Sequence, residues 1–133
     1  MPHTLTVDRS FPVSDPSSGP YALTAGPDGA MWCTLGHAGR IARLTPEGRL
    51  DEFPPDSDSC GPSLITAGPD GALWFTQLNA DRIGRMDTGG AVTEFALPDP
   101  ACRPHAITAA SDGSVWFTEW ASGRIGSLTP PAG

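Results

Sequence analysis

A period of 42 residues runs through this chain. Pro20, Pro62 and Pro104 stand 42 apart (62 − 20 and 104 − 62), each opening one copy of the same unit. The copies read Thr24-Ala25-Gly26-Pro27-Asp28-Gly29-Ala30-Met31-Trp32, Thr66-Ala67-Gly68-Pro69-Asp70-Gly71-Ala72-Leu73-Trp74 and Thr108-Ala109-Ala110-Ser111-Asp112-Gly113-Ser114-Val115-Trp116, and they align without a gap. A period of about 40–45 residues built of short strands is that of a β-propeller blade. The expected fold is therefore all-β: a propeller segment of three four-stranded antiparallel blades. The repeat also acts as an internal control. Positions alike in every copy serve the blade, and positions that differ are free to serve a site.

The second copy gives the strand plan. Residues 63–67 are a short apolar run, strand A. Gly68-Pro69-Asp70-Gly71 is a turn, in which Pro presets φ, Asp bonds its own backbone and Gly accepts positive φ. Residues 73–77 form strand B, aromatic and expected to be buried on both faces. Residues 82–86 alternate polar and apolar as strand C, and 91–95 form strand D. The repeats run over 19–60, 61–102 and 103–130. Residues 7–12 stand one period before Arg49–Pro54, so the stretch 5–12 is expected as a strand D that belongs to a shared blade; the last copy ends without one. The order is D, ABCD, ABCD, ABC. Three blades fall short of the roughly four needed to encircle an axis. Either copies associate, two giving six blades, or the chain is part of a longer propeller.

Composition narrows the partners. The net charge of −7 disfavours nucleic acid and anionic membrane. The first residues have neither a basic segment nor an apolar stretch, so no signal peptide is expected, and no run approaches the roughly 18 apolar residues of a membrane span. The three cysteines are an odd count. Cys60 and Cys102 occupy equivalent positions between blades, and free thiols in a reducing cytoplasm are expected rather than a disulfide framework.

Alternate connections of a blade share one end of a propeller, so the D-to-A crossing and the B-to-C loop lie together. Tyr21, Ser63 and His105 begin strand A and should rim the central channel. Leu35, Gln77 and Glu119 end strand B. If the hairpin carries no bulge, His105 and Glu119 are cross-strand neighbours with Cβ atoms about 4.5–5.5 Å apart. An imidazole oriented by a carboxylate beside a funnel is what a general base requires, and copies one and two offer no such pair. The plainer reading is a solvated surface contact. Trp120 replaces Gly36 and Leu78, either as a stacking platform or as a loop anchor; His37 and Asn79 share the next loop position. The recurring Asp28, Asp70 and Asp112 read as turn residues, Trp32, Trp74 and Trp116 as core, and Arg40, Arg82 and Arg124 as blade-to-blade or surface contacts. No zinc spacing, phosphate loop or Gly-x-Ser-x-Gly nucleophile is present.

The segments at 65–76, 82–85 (Arg-Ile-Gly-Arg) and 93–95 (Thr-Glu-Phe), and above all Arg103-Pro104-His105 continuing to Phe117-Thr118-Glu119-Trp120, resemble blades of the virginiamycin B lyase (streptogramin lyase) family over about residues 11–128. The resemblance implies a magnesium-dependent carbon–oxygen lyase with a seven-bladed monomeric propeller. Such an enzyme opens the cyclic depsipeptide of type B streptogramins by elimination, an antibiotic-resistance activity. It implies catalytic roles for His105 and Glu119, substrate contacts from His105, Trp120 and Tyr21, and Glu119 on the metal. His105 matches a substrate-contacting histidine of the penultimate family blade; by repeat register it equally matches the base of the final blade. In the second register Arg103 stands where the family has a metal-linked glutamate, and an arginine there repels magnesium. One blade cannot supply both roles. The resemblance thus implies a truncated or internally deleted relative. The rival reading is a non-catalytic module that binds a ligand or partner blades.

Overall fold

The computed structural model describes residues 3–54 and 61–131; Cys60 lies outside them. Eleven strands form three antiparallel sheets among the described residues. The first sheet holds β1 (Pro20–Ala25), β2 (Met31–Leu35), β3 (Arg40–Leu44) and β4 (Leu50–Phe53). The second holds β5 (Pro62–Ala67), β6 (Leu73–Gln77), β7 (Arg82–Met86) and β8 (Val92–Ala96), and the third β9 (Pro104–Ala109), β10 (Val115–Glu119) and β11 (Arg124–Leu128). Each sheet is a meander in chain order. The first strands pack side by side, β1 on β5 and β5 on β9, so they form the inner layer of an arc. The limits of β6 and β7 coincide with those expected; β5 starts and β8 ends one residue from expectation. No described helix is long and apolar enough to cross a membrane.

Residues 5–12, expected as a strand, form none. A strand D needs the free edge of a strand C, and among the described strands the only unpaired strand C is β11, at the far end of the arc. The segment instead lies against its own first sheet. Arg9 donates to the Pro46 carbonyl at 2.7 Å, and Ser14 donates through its N–H and hydroxyl to Glu52.

The repeated turn does more than reverse the chain. In the first sheet Asp28 accepts from the Ala30 N–H (3.2 Å), the Trp32 indole N–H (3.1 Å) and Arg43 Nε (2.7 Å). Asp70 repeats this with Ala72, Trp74 and Arg85. Gly26 and Gly68 make room for it: a Cβ on either would stand 2.3 Å from the indole. The third copy carries Ala110 and Ser127 at the glycine and arginine positions, and the hub dissolves. Asp112 accepts from Ser114, and the Trp116 indole donates to Ser114 Oγ at 2.8 Å. The other recurring arginines pair inside a sheet rather than between blades: Arg40 lies 3.8 Å from Glu52 and Arg82 lies 3.3 Å from Glu94, each joining strand C to strand D.

Apolar side chains fill the two gaps between sheets. Trp32 and Ile41 pack with Ile65, Leu73 and Phe75; Trp74 and Ile83 pack with Ile107, Val115 and Phe117. Phe53 and Phe95 stack on Trp32 and Trp74, with centroids 6.0 and 5.7 Å apart. The second sheet lies between neighbours and β6 is buried throughout, as expected. The end sheets are bare on one side, and this overturns the expectation of a buried Trp116: it is 42% exposed.

Every inner hairpin carries a bulge. Tyr21–Ala22 face Thr34 alone, Ser63–Leu64 face Thr76, and His105–Ala106 face Thr118. The threonine hydroxyl fills the gap by accepting the N–H of Ala22, Leu64 or Ala106 at 2.9–3.2 Å. Thr34 and Thr76 then donate to the carbonyls of Ser63 and His105 in the next sheet, both at 2.7 Å. One buried side chain thus closes a bulge and ties two blades.

Two expectations follow. Thr76→Val leaves the Leu64 N–H and the His105 carbonyl without this partner and should cost about 1–3 kcal/mol in denaturant unfolding. For Asp28 and Asp70, burial pushes the carboxyls up, but the tryptophan, arginine and backbone hydrogen bonds and the arginine charge outweigh it and hold both below their ordinary value. The unfolded chain therefore binds protons first. The stability these groups supply is complete above the unfolded pKa of about 3.9 and is lost as pH falls through the folded value. Melting temperature should drop in that acid window, and less steeply in a variant carrying Asp28→Asn and Asp70→Asn.

Candidate functional site

The site forms where the D-to-A crossings and B-to-C loops meet. The bulge turns residues 21, 63 and 105 out of the regular alternation of their strands, a common way to aim a side chain at a site. His105 lies with its ring centroid 6.4 Å from Tyr21 and 6.2 Å from Trp120, both tilted against it. Tyr21 and Trp120 are 61% and 68% exposed, so two open aromatic faces flank a half-buried imidazole. A cleft of about 250 Å³ beside it is lined by Tyr21, His37, Ser63, Asn79 and His105. His37 and Asn79, paired by the repeat, therefore belong to the same mouth.

The same bulge removes the expected His105–Glu119 pairing. Glu119 stands opposite Pro104 on one side and Arg124 on the other. The extra residue in β9 shifts the register by one, so the register of an unbulged hairpin gives the wrong neighbours. His105 Nδ1 is buried and has no hydrogen-bond partner among the described residues; Glu119 does not orient it. A carboxylate-supported base is thus not what this arc displays. It displays an imidazole nitrogen with no partner among the described residues, on a residue held in place through the Thr76 bond to the His105 carbonyl.

Arg103 is a site residue whose geometry the sequence reading missed. It adopts φ of 50°, where the equivalent Gly19 and Gly61 have 71° and 64°. The left-handed region is uncommon for a side chain other than glycine. Three features accommodate it: the Arg103 N–H donates to Asp81 at 2.9 Å, its carbonyl accepts from the Trp120 N–H at 3.1 Å, and its guanidinium lies 5.9 Å from the Trp120 ring. The facing loop position also changes. His37 and Asn79 press on the glycines, within 3.0 and 2.5 Å of a would-be Cβ, whereas the third copy has Ala121 there. The coupled exchange of Gly for Arg and of Asn for Ala was the signal available in the sequence.

The described residues do not assemble a donor set for a magnesium ion. Among the described residues no three His, Cys, Asp or Glu side chains come together, and Arg103 adds positive charge beside Glu119's end of the sheet. Cys33 and Cys102 are free thiols, as expected. Burial pushes Cys102 above its usual thiol value, and the negative charges of Glu119, Asp81 and Asp99 add to this; burial likewise raises Cys33. Neither is a ready thiolate.

Comparison with known proteins bears on this site. The sequence profile of the virginiamycin B lyase family matches residues 6–132. The virginiamycin B lyases of Saccharopolyspora erythraea and Streptomyces coelicolor are 62% and 59% identical over 40 and 39 residues, which is 30% and 29% of this chain and 13% of each relative. A catalytically inactive histidine-to-alanine variant of virginiamycin B lyase from Staphylococcus aureus, solved with quinupristin, superposes with a TM-score of 0.89 at 41% identity, covering 95% of this chain and 44% of that one. A streptogramin B lyase structure gives 0.81 at 35% identity, covering 92% and 44%. The chain therefore spans less than half the length of its solved relatives. A Xanthomonas campestris gluconolactonase, at 0.70 and 14% identity over 87% of this chain and 45% of that one, shares the fold alone.

A buried nitrogen without a partner is costly, by about 1–3 kcal/mol, and sites often keep such a cost for function. His105→Leu should raise the melting temperature while removing ligand response; a clear loss of stability would show that the imidazole is structural.

Proposed function

The chain belongs to the virginiamycin B lyase family, and from that premise we propose that it acts on a cyclic depsipeptide of the type B streptogramin class. The observation that carries this reading is the His105 imidazole, with Nδ1 buried and unpartnered between the rings of Tyr21 and Trp120. Flat aromatic faces suit a macrocycle rich in apolar and aromatic groups, and the Arg103 guanidinium suits its carbonyls and the carboxylate that forms. In the reaction His105 takes the α-proton next to the ester-bearing carbon, or holds the substrate while another base does so. The electron pair left behind forms a carbon–carbon double bond, the ester C–O bond breaks, and a carboxylate leaves. No water is consumed, so substrate and product are isomers.

A second reading has an observation of its own. With no acid cluster among the described residues, the three sheets bind the macrocycle without opening it.

Incubation of the chain with a type B streptogramin and magnesium separates the two. Turnover gives a product of altered retention and unchanged mass, slowed by about a hundredfold or more in His105→Ala. Binding without turnover appears as tryptophan fluorescence quenching that Trp120→Ala weakens. If His105→Ala loses turnover but keeps affinity, the imidazole is the base; if both fall, it is a substrate contact. A product heavier by one water would refute elimination, and silence in both assays would refute both readings.

A further inference from the structure

We propose that Asp81 is a positioning residue for the mouth: its carboxylate holds Arg103 in the left-handed conformation and so sets the Trp120 wall beside His105. The inference rests on the reading of this mouth as a ligand site. Backbone conformation gives the first observation. Among the described residues other than glycine, only Asp81 (φ 54°) and Arg103 (φ 50°) occupy the left-handed region. They stand 22 apart in the chain and are bonded to each other, the Arg103 N–H donating to Asp81 Oδ1 at 2.9 Å. By the 42-residue register Asp81 stands where the other sheets carry Gly39 (φ 68°) and Gly123 (φ 65°), just as Arg103 stands where they carry Gly19 and Gly61. Glycine takes this conformation without a steric cost, and other residues do not. The blade by itself therefore calls for glycine at both positions. Strain of this kind persists only where the surroundings over-determine it, and it collects at functional sites. Here one strained residue supplies the hydrogen-bond acceptor for the other.

The bonds around Asp81 show what the exchange provides. Its carbonyl accepts the Leu97 N–H at 3.2 Å while its carboxylate takes the Arg103 N–H. Asp81 thus grips both ends of the crossing, residues 97–103, that joins β8 to β9. That crossing in turn carries the B-to-C loop of the third sheet. The Arg103 carbonyl accepts the Trp120 N–H at 3.1 Å, the Cys102 carbonyl accepts the Ala121 N–H at 2.9 Å, and Asp99 accepts from the Ser122 hydroxyl and the Ala101 N–H. From the Asp81 carboxylate to the Trp120 backbone the route passes through Arg103 alone. Arg103 is followed by Pro104, whose ring fixes φ, and then by His105, so a turn of the Arg103 backbone reaches the imidazole with little slack. The guanidinium lies 5.9 Å from the Trp120 ring, within cation–π range. One backbone conformation therefore sets both an acceptor and a cation against the same tryptophan. Leu78 and Asn79, in the same loop as Asp81, line the cleft beside His105. That loop lines the cleft with two residues and fixes the Trp120 wall with a third.

Because the bond runs to a backbone N–H, an amide oxygen serves as well as a carboxylate, and asparagine also tolerates the left-handed region. Asp81→Asn should therefore behave as the parent does. Asp81→Gly relieves the strain but removes the acceptor. The deciding readout needs no ligand. In a proton–nitrogen correlation spectrum the Trp120 indole N–H, identified by its loss in Trp120→Phe, should shift or broaden in Asp81→Gly and keep its place in Asp81→Asn. The Trp32 and Trp74 indoles, held by Asp28 and Asp70, should stay in place in both variants, and the denaturant midpoint of Asp81→Gly should stay close to the parent's. With a type B streptogramin, Asp81→Gly should bind about tenfold more weakly, the worth of one hydrogen bond, and Asp81→Asn should restore the affinity. An unmoved Trp120 resonance in Asp81→Gly would overturn the proposal, as would Asp81→Asn behaving like Asp81→Gly. Collapse of every indole resonance together would make Asp81 a residue of the fold alone and overturn it as well. A parent chain that binds no streptogramin would refute the substrate reading, and the Trp120 resonance would still decide this one.

Discussion

A threonine hydroxyl between neighbouring inner strands sets the geometry on which the rest of this structure depends. Thr34 and Thr76 are fully buried, and each satisfies a bulged N–H in its own hairpin and a carbonyl in the next. The first bond requires the extra residue in strand A. The second fixes how far apart the inner strands stand and so how the sheets fan. Site and scaffold meet here, because the residues whose carbonyls receive these bonds, Ser63 and His105, are the ones whose side chains face the mouth. A channel-lining residue is thus clamped through its backbone while its side chain stays free for a ligand, the arrangement a pre-organised site needs.

Around that spine the copies divide into conserved mechanics and local departures. The aspartate–tryptophan–arginine hub operates where a sheet has a neighbour on its tryptophan side. It is missing in the third sheet, where Ala110 occupies the space of a glycine and Ser127 the place of an arginine. The departures at the mouth are concentrated in the same copy: Arg103 for Gly, His105 for Ser, Trp120 for Leu and Ala121 for Asn. Within one repeat, the blade's own requirements have been relaxed at the positions where aromatic and charged groups collect. The family profile spans all three repeats, residues 6–132.

Much of the fold was legible because repetition averages out local ambiguity. Three aligned copies of a Gly-Pro-Asp-Gly turn followed by Leu-Trp-Phe-Thr leave little freedom for β6, and the limits of β6 and β7 were readable to the residue. The failures have specific physical causes. A bulge adds a residue without changing the sequence pattern, so the opposition of His105 and Glu119 was miscounted. Residues 5–12 have strand character but need a free edge, and among the described strands the one unpaired strand C lies at the far end of the arc. Arg40 and Arg82, read as blade-to-blade or surface contacts, are part-exposed and pair with Glu52 and Glu94 across one sheet, so the surface alternative holds. Tyr21, His105 and Trp120 were each legible as channel-rim residues, and they do meet. The left-handed Arg103 beneath Trp120 was not, because backbone conformation at a non-glycine position leaves no mark in a single sequence beyond the exchange itself.

The sequence by itself determined the blade, its period and its four-strand order, because periodic turn chemistry and alternating burial are local properties of the chain. Only the tertiary structure decided which groups face one another at the mouth and which faces are left bare. Those depend on a one-residue bulge and on the fan of three sheets, and both arise from hydrogen bonds between segments 12 to 29 residues apart.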